Sequence, residues 1–389
     1  MKKSDGVFSE FDRACMKRAF TLARRGEGKT SPNPLVGAVI ARGGIIIGEG
    51  WHKRCGGLHA EAEAFEAALR AGENPAGADL YCTLEPCCFT SPEKRQPPCA
   101  QSIIKNRIRR VVIANIDPHP MVSGKGVLLL KKAGITVQSG LFAEEGEELN
   151  RAFFTFQRLG RPFVHLKIAQ TLDGKIAASG SAKKGKNTNW ITDEAARKIV
   201  HKLRARYDAV LVGRGTVLAD DPELTVRLSR GRNPVRVVLD SRLKLSLSAK
   251  LLHLPDPEKT LIVCGAGASL KKIAAIKKTG ANVLPLKIPR KAKGGPGLPI
   301  AAVLSALAER GIRSVLVEGG EKIFSSFLRE GLWDRLSVFI APLILGGGVP
   351  CVSGLGIGSL AGALRPGGVK IQKIGNQILF EGKNVYRNR

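Results

Sequence analysis

The sequence predicts a protein of two consecutive α/β domains. Its 389 residues correspond to about two to three domains of ordinary size. Short apolar stretches alternate with stretches whose apolar residues recur at helical spacing, and this alternation is typical of α/β domains. Glycine followed by proline ends helices, and Gly160-Arg161-Pro162 follows a helix-like stretch. We therefore expect one domain over residues 1–160 and a second over residues 161–389.

The first half is predicted to contain a hairpin, three helices and three further strands. Residues 36–47 are rich in Val and Ile around Gly43-Gly44, which is the pattern of a β-hairpin. Composition and apolar spacing indicate helices over residues 11–23, 59–71 and 144–159. The remaining strand candidates are the short apolar runs at residues 80–83, 111–116 and 135–137.

The second half shows the same alternation. Its strand candidates are residues 163–168, 209–212, 235–239, 261–263, 314–317 and 336–340. Its helix candidates are residues 193–205, 269–278, 304–310 and 322–329. Residues 287–299 are basic and rich in glycine and proline, which predicts an exposed loop.

Bulk composition excludes several classes of protein. Hydrophobic residues make up 43% of the chain and charged residues 24%, and these ordinary values exclude a disordered or collagen-like chain. No apolar run reaches the roughly 18 residues of a membrane-spanning helix, and no apolar segment follows the basic start. Eight cysteines are too sparse for a disulfide scaffold. We expect a cytoplasmic protein without a membrane partner, whose thiols are reduced or bind metal.

Charge is divided unevenly between the two halves. The formal net charge is +29, of which residues 1–150 carry +4 and the remaining residues carry +25. A strongly basic domain indicates an anionic partner, and nucleic acid and phosphorylated small molecules both satisfy that description. The charge therefore marks a second domain without deciding its function.

A metal site is the strongest chemical signal in the sequence. His59-Ala60-Glu61 is followed by Pro86-Cys87 and, twelve residues later, by Cys99. A catalytic zinc takes three protein ligands, for which imidazole and thiolates are suitable, and keeps one position open for water. A carboxylate that is not a ligand can carry a proton from that water to a leaving amine. An isolated His-x-Glu is more often a surface feature, but the two cysteines after prolines favour the signature of zinc-dependent nucleobase deaminases.

Together with neighbouring motifs, these residues resemble the deaminase half of the bacterial bifunctional riboflavin-biosynthesis enzymes. The further motifs are Ser31-Pro32-Asn33-Pro34, Gly48-Glu49-Gly50-Trp51-His52, Thr83-Leu84-Glu85, Pro97-Pro98 and Asp117-Pro118-x-Pro120. The resemblance runs over nearly the whole chain. For the first domain it implies a cytidine-deaminase-like three-layer fold in which His59, Cys87 and Cys99 bind Zn²⁺ and Glu61 is the proton shuttle.

The resemblance also implies a substrate pocket, and the sequence departs from the family there. The residues that would contact substrate are Asn33, His52, Arg95 and Asp117. Cys88-Phe89 stands where the family has Ser-His, and His119 replaces an asparagine. The loop between the two cysteine ligands is three residues longer than usual. Cys88 competes with Cys87 as a metal ligand, and we favour Cys87 because it directly follows the motif proline.

The second half resembles the reductase half of the same enzymes, which is a dihydrofolate-reductase-like α/β domain. Its motifs, in order, are Lys167-Ile168-Ala169, Trp190-Ile191-Thr192, Leu203-Arg204-Ala205, Gly213-x-Gly215-Thr216, Asp220-Asp221-Pro222-x-Leu224-Thr225-Val226-Arg227 and Val317-Glu318-Gly319-Gly320. By this resemblance, NADPH would contact Ala169, Trp190, Thr216, Asp220, Gly319 and Gly320. Substrate would contact Thr188, Arg204, Leu224, Arg227 and Glu318, with Lys167 near the reacting sugar. Two of these residues are arginines, which suit forked hydrogen bonds to a substrate phosphate.

The resemblance implies a two-step enzyme of riboflavin biosynthesis that forms homo-oligomers. The first domain would hydrolytically deaminate 2,5-diamino-6-(5-phosphoribosylamino)pyrimidin-4-one. The second would use NADPH to reduce the ribosyl group of 5-amino-6-(5-phosphoribosylamino)uracil to ribityl. One alternative is a zinc deaminase acting on nucleic acid, with a basic RNA-binding domain but no recognisable RNA module. Another is a binding module with a degenerate deaminase half. A P-loop NTPase is not expected, since Asn187 stands where Ser or Thr is needed.

Overall fold

The chain divides into two units, Met1–Gly160 and Arg161–Arg389. The structure is a computed structural model and describes residues 8–90, 97–179, 190–287 and 297–385. The Gly160-Arg161-Pro162 step lies at the division between the units. Among the described residues, no helix is both long and apolar enough to cross a membrane.

The first unit is built on a five-stranded sheet in the order β2-β1-β3-β4-β5. The β1 strand is antiparallel to β2 and β3, whereas β3, β4 and β5 are parallel. The strands are β1 (Gly37–Arg42), β2 (Ile45–Trp51), β3 (Asp79–Leu84), β4 (Arg110–Asn115) and β5 (Thr136–Ser139). The helices are α1 (Glu10–Ala23), α2 (Ala60–Arg70), α3 (Cys99–Lys105), α4 (Lys125–Lys132), α5 (Ala143–Leu149) and α6 (Arg151–Leu159), with a 3₁₀ turn at Arg24–Gly26.

Helices cover both faces of this sheet, so the unit has three layers. Alternate residues of β1 point to opposite faces, because side chains alternate along a strand. Ala38 and Ile40 pack with Ala60 and Ala64 of α2 on one face. On the other face, Val39 packs with residues of α1. This confirms the three-layer, cytidine-deaminase-like fold that the motifs implied.

The predicted hairpin is present, and its turn explains the glycine pair. Gly43 and Gly44 connect β1 to β2 with φ angles of 58° and 81°. Two consecutive left-handed residues form the tight turn whose twist matches antiparallel strands, and glycine adopts this conformation without a steric penalty.

The helix expected over residues 144–159 is instead two helices, α5 and α6, which meet at Asn150. The Asn150 side chain accepts a hydrogen bond from Leu35 N–H at 2.7 Å and donates to the Leu35 carbonyl at 2.8 Å. This long-range pairing ties the junction to the segment before β1. An apolar pattern along one helix face does not reveal such a junction.

The second unit contains a nine-stranded sheet in the order β11-β10-β9-β8-β12-β6-β13-β16-β15. Neighbouring strands from β11 to β13 are parallel, whereas β16 is antiparallel to β13 and to β15. The strands of the sheet are β6 (Phe163–Thr171), β8 (Ala209–Gly213), β9 (Val235–Leu239), β10 (Thr260–Gly265), β11 (Asn282–Leu286), β12 (Ser314–Gly319), β13 (Arg335–Ala341), β15 (Gly367–Ile374) and β16 (Gln377–Lys383). A separate pair joins β7 (Lys175–Ala177) and β14 (Val349–Pro350).

Helices cover both faces of this larger sheet as well. They are α7 (Glu194–Arg206), α8 (Arg214–Asp220), α9 (Leu270–Lys277), α10 (Ile300–Glu309) and α11 (Glu321–Arg329), with 3₁₀ turns at Lys250–Leu252 and Pro257–Lys259. Val303 of α10 and Phe327 of α11 pack with Val164 and Leu166 of β6. Val200 of α7 packs with Phe339 on another side of the core. The strand order reverses between β8 and β12, and such reversals place a crevice at the carboxyl ends of the strands.

Each apolar run predicted as a strand in this unit is a strand, but β7, β11, β14, β15 and β16 were not predicted. The β15 strand is largely exposed and mixes apolar with polar residues, and β11 contains Pro285. Both strands therefore lack the continuous apolar run of a buried parallel strand. Most of the loop expected at 287–299 lies outside the described residues, because residues 288–296 are not described.

Candidate active sites

Three different elements supply the residues of the candidate metal site. His59 caps the N-terminus of α2 with extended backbone angles. Cys87 lies three residues beyond the end of β3, and Cys99 is the first residue of α3. Each residue therefore stands where a regular element starts or has just ended, which places the three side chains at one edge of the sheet.

The three side chains converge to metal-binding distances. One ligand atom from each of His59, Cys87 and Cys99 lies within 4.8 Å of the others. His59 Nδ1 is 3.3 Å from Cys99 Sγ and 3.6 Å from Cys87 Sγ. A tetrahedral zinc with ordinary Zn–N and Zn–S bond lengths separates its ligand atoms by about 3.5–3.8 Å. The imidazole and two sulfurs therefore fit zinc in both chemistry and spacing.

The electrostatics favour a metal-binding thiolate at Cys87. A hydrogen bond from the Cys99 thiol and the neighbouring His59 imidazole lower the pKa of Cys87 to about 3. The same hydrogen bond raises the pKa of Cys99, because its proton is held against the Cys87 sulfur. Cys88 is directed elsewhere, and its Sγ lies 3.8 Å from the Met121 carbonyl oxygen. The structure thus brings together the three residues that the sequence singled out.

Glu61 lies in the first turn of α2, two residues after His59, and is 3% exposed. Burial raises the pKa of its carboxyl group. A buried carboxyl group beside the candidate metal ligands is suited to take up and release a proton. The close approach of α2 to β2 depends on Gly50, since a Cβ there would lie 2.2 Å from the Ala60 carbonyl oxygen.

Asn33 and His52, the predicted pyrimidine contacts, contact each other, and the His52 ring lies beside that of His59. His52 Nδ1 is 2.9 Å from the Leu58 carbonyl oxygen, so this nitrogen carries the proton and donates. His52 Nε2 then accepts from Asn33 Nδ2 at 3.2 Å. The rings of His52 and His59 are 5.7 Å apart in an edge-to-face arrangement. These bonds fix the tautomer of His52 and the orientation of the Asn33 amide.

Glu85 has a positioning role that the sequence motifs did not reveal. Its carboxylate is 4% exposed and accepts three backbone hydrogen bonds. The donors are the N–H groups of Asp117 at 3.1 Å, Gly124 at 2.9 Å and Val127 at 3.1 Å. Glu85 therefore holds the loop after β4, including buried Asp117, against the segment that carries Cys87. The available signal was a carboxylate immediately before Pro-Cys.

The two departures in the expected substrate loop contact each other. The rings of Phe89 and His119 are stacked with centroids 5.9 Å apart and planes 10° apart. His119 N–H donates to Asp117 Oδ1 at 2.8 Å, and His119 Nδ1 accepts from Met121 N–H at 3.1 Å. Arg95, the other residue predicted in this loop, lies outside the described residues.

In the second unit, Lys167, Arg204 and Glu318 form a buried charged cluster. Arg204 donates two hydrogen bonds to the Glu318 carboxylate, from Nε at 2.6 Å and from one terminal nitrogen at 2.8 Å. Lys167 Nζ lies 3.8 Å from Glu318 Oε2. Glu318 has a pKa lowered to about 2 despite its burial, because Arg204 and Lys167 stabilise the ionised form. The sequence suggested Arg204 as a phosphate partner, whereas the structure pairs its guanidinium with a carboxylate.

The glycine pair Gly319-Gly320 at the end of β12 meets Thr216 at the reversal of the strand order. A Cβ on Gly320 would lie 3.4 Å from the Thr216 hydroxyl oxygen, so the two residues are in close contact. Gly319 has a φ of 130°, a value that side chains rarely adopt. Thr216 lies near the N-terminus of α8, directly after β8. Small residues and free helix-start amides at this crevice suit the phosphates of a dinucleotide.

The other predicted cofactor residues lie on different elements. Ala169 lies on β6, two residues beyond Lys167, and packs near α7. Trp190 is 59% exposed, with the Arg197 guanidinium 4.9 Å from its ring. Asp220 is the last residue of α8. Thr188, predicted to contact substrate, lies outside the described residues.

A pocket of about 590 Å³ lies at the ends of three neighbouring parallel strands and was not predicted. Its lining follows β9, β10 and β11 and consists of Ser241, Arg242, Gly265, Ala266, Gly267, Ala268, Ser269 and Lys287. Two cations and several small residues give it the character of an anion-binding pocket. The available signal was the pair of polar or glycine-rich turns directly after two predicted strands.

A zinc-type deaminase centre and a parallel sheet suited to a dinucleotide, in one chain, define a bifunctional deaminase and reductase. Residues 9–115 match the family described as the cytidine and deoxycytidylate deaminase zinc-binding region, and residues 162–380 match the RibD C-terminal domain. The chain belongs to the RibD family of bifunctional riboflavin-biosynthesis proteins. It is therefore an enzyme with a zinc-dependent deaminase domain and a reductase domain that uses NADPH.

Individual relatives cover almost the whole chain. Riboflavin biosynthesis protein RibD of Aquifex aeolicus is 42% identical over 376 residues, which are 96% of this chain and 99% of that protein. The Escherichia coli RibD is 38% identical over 349 residues, 86% of this chain and 89% of the relative. The crystal structure of a diaminohydroxyphosphoribosylaminopyrimidine deaminase/5-amino-6-(5-phosphoribosylamino)uracil reductase from Thermotoga maritima matches with 36% identity and a TM-score of 0.81, and covers 96% of this chain and 99% of its own.

Proposed function

We propose that residues 1–160 deaminate 2,5-diamino-6-(5-phosphoribosylamino)pyrimidin-4-one and that residues 161–389 reduce the ribosyl group of the resulting uracil to ribityl. The convergence of His59, Cys87 and Cys99 beside buried Glu61 carries the first assignment. The similarity to the Thermotoga maritima deaminase/reductase, at 36% identity over 96% of this chain, supports the two substrates.

For deamination, we assign zinc to His59 Nδ1 and the sulfurs of Cys87 and Cys99. Zinc, when bound, supplies an acidified water for attack on the amine-bearing ring carbon. Glu61 accepts a proton from the attacking water and delivers a proton to the departing amine, which leaves as ammonia. The raised pKa of Glu61 suits both steps, because the carboxyl group can hold the proton between them.

Substrate recognition in this unit is assigned to Asn33, His52 and Asp117, with Arg95 as a further contact. The fixed tautomer of His52 and its bond to Asn33 give the pyrimidine edge a preformed partner. Asp117 is held by Glu85 at the end of β4, where a carboxylate suits ribose hydroxyls. Preformed contacts of this kind orient the ring before reaction.

For reduction, we assign NADPH to the crevice at the carboxyl ends of β8 and β12. The cofactor supplies the hydride. Its contacts would be Ala169, Trp190, Thr216, Asp220, Gly319 and Gly320. The cationic pocket with Ser241 and Arg242 lies along the same edge of the sheet and suits an anionic end of the cofactor.

Lys167 is assigned to the reacting sugar. Burial lowers the pKa of Lys167, while the Glu318 carboxylate opposes that effect. An ammonium group held in this way can donate the proton that must accompany hydride transfer. Leu224, Arg227 and Thr188 would hold the substrate, and we assign its phosphate to Arg227, since Arg204 is engaged with Glu318.

We also propose that the protein is a cytoplasmic homo-oligomer. None of the eight cysteines is paired in a disulfide, which supports a reducing compartment. The edge strand β15 exposes Val369 by 49% and Ile371 by 70%, and a second copy would cover such side chains. Light scattering of the purified protein tests the oligomer, and cell fractionation tests the compartment.

The decisive experiment separates the two activities in one purified protein. Glu61→Gln should reduce ammonia release by about 10²- to 10⁴-fold, because the proton shuttle is lost. Zinc content and NADPH oxidation with the deaminated substrate should stay unchanged. Glu63→Gln is the matched control, since Glu63 lies on the same helix but pairs with Lys53 at 2.6 Å. Loss of both activities, or full deamination by the Glu61 variant, would contradict the proposal.

A further inference from the structure

Two side chains of α7, His201 and Arg204, form hydrogen bonds to the backbone of residues 224–227. The two residues lie about one helical turn apart. Arg204 donates from a terminal nitrogen to the Thr225 carbonyl oxygen at 2.9 Å. The backbone N–H of Arg227 donates to His201 Nδ1, also at 2.9 Å. His201 is 6% exposed and was not among the predicted site residues. One face of α7 therefore binds the backbone of this segment at two positions, Thr225 and Arg227.

The segment needs this support because its backbone is unusual. Leu224 has a φ of 56° and is 2% exposed. A buried leucine in the left-handed region persists only where its surroundings determine the conformation. A third hydrogen bond fixes the segment, because Val226 N–H donates to Asn233 Oδ1 at 2.9 Å. The backbone leading to Arg227 thus follows a course set by side chains from outside the segment.

Arg227 differs from Arg204 in what its guanidinium can reach. The Arg227 side chain is 47% exposed and pairs at 2.6 Å with Glu223, four residues earlier in the chain. Arg204 is buried and bonded to Glu318. A phosphate arriving from solvent can therefore meet the Arg227 guanidinium, provided that the backbone presents it at the right place.

We infer that His201 is a positioning residue of the reductase, which acts through Arg227 by holding its backbone N–H so that the guanidinium meets the substrate phosphate. His201 itself touches neither substrate nor cofactor in this assignment. The inference rests on the proposed role of Arg227 in binding the phosphate. It predicts that loss of the acceptor at His201 Nδ1 weakens recognition of the phosphate.

The charge environment supports the required form of the imidazole. Nδ1 accepts a hydrogen bond only when it is unprotonated. Burial, together with the cations Arg204 and Arg227, lowers the pKa of His201 to about 4. The ring is therefore neutral at neutral pH, and its Nδ1 can accept the hydrogen bond from Arg227 N–H.

A pair of amide variants isolates the acceptor. In His201→Asn the side-chain oxygen takes the place of Nδ1, whereas in His201→Gln the amide group lies near the place of Nε2. With the full-length protein, His201→Gln should raise KM for the phosphorylated substrate about 10-fold, with kcat within threefold and NADPH affinity unchanged. His201→Asn should stay within threefold of the wild type in KM. Both variants should reduce the dephosphorylated substrate as the wild type does.

The variant Arg227→Ala separates failure of this inference from failure of the proposed function. Arg227→Ala should raise KM for the phosphorylated substrate at least as much as His201→Gln does. The double variant should show no further rise in KM. If Arg227→Ala leaves KM unchanged, the assigned phosphate site is wrong. If Arg227→Ala raises KM but the Asn and Gln variants behave alike, the positioning role of His201 is refuted. Equal losses with and without the substrate phosphate would also refute it.

Discussion

The Glu85 carboxylate is predicted to control the deaminase pocket, and Glu85→Gln tests this at a residue that is not assigned to proton transfer. Its Oε2 accepts from Asp117 and Gly124 N–H, and its Oε1 accepts from Val127 N–H. The substitution preserves size but removes the charge and one acceptor. At least one buried N–H is then left facing an amide NH₂ group.

The expected cost follows from these three bonds. A hydrogen bond to a charged group contributes about 1.5–3 kcal/mol, whereas a neutral one contributes about 1 kcal/mol. Losing one bond and weakening two others therefore costs about 3 kcal/mol locally. That energy should speed backbone hydrogen exchange across residues 117–127 by about 100-fold, because opening of the loop becomes easier. Displacement of Asp117 should raise the deaminase KM about 10-fold.

Hydrogen exchange by mass spectrometry, deaminase kinetics and zinc content are the measurements. Zinc content and NADPH oxidation with the deaminated substrate should remain at wild-type values. Glu49→Gln is the control, since Glu49 is a carboxylate of the same unit that pairs with partly exposed Arg18, and it should leave exchange at 117–127 unchanged. Wild-type exchange and KM in Glu85→Gln would refute the role assigned to this residue.

Two further predictions concern the metal and the pH dependence of stability. Cys87→Ser should lower bound zinc to well below one per chain while Cys88→Ser retains it, as measured by atomic absorption; equal zinc in both variants would contradict the ligand assignment. Because the folded pKa of His201, about 4, lies below its ordinary value of 6.5, the unfolded chain binds an extra proton between these values, and stability falls as pH falls through that window. The free energy of unfolding should therefore be about 2 kcal/mol lower at pH 5 than at pH 8. Urea unfolding at the two pH values measures this difference, which His201→Asn should lack.

The residues of the candidate deaminase centre could be predicted because they lie in short sequence motifs. His59 and Glu61 are separated by one residue, and Cys87 and Cys99 each follow a proline, so residue type and spacing already indicate a zinc site. The strands of the buried core were predictable for a similar reason, since parallel strands covered on both faces are continuous apolar runs. The edge strand β15 carries no such run and was missed.

The roles of charged residues in the second unit were not predictable in the same way. Arg204 and Glu318 are 114 residues apart in sequence, and only the alignment of α7 with the end of β12 shows that they pair. From the sequence alone, Arg204 and Arg227 are equally suited to bind the substrate phosphate. The structure distinguishes them by burial and by partner. A buried guanidinium needs a carboxylate partner, whereas an exposed one remains accessible to a ligand from solvent.

The sequence by itself predicted a division near residue 160, the core strands and the cluster of His59, Cys87 and Cys99 that the structure brings together. These depend on apolar periodicity and on short motifs, which are properties of neighbouring residues. Tertiary structure decided which polar groups meet: Glu85 with the loop of Asp117, and His201 with the backbone of Arg227. The physical reason is that hydrogen bonds and ion pairs act over a few ångströms in space, whatever the separation along the chain.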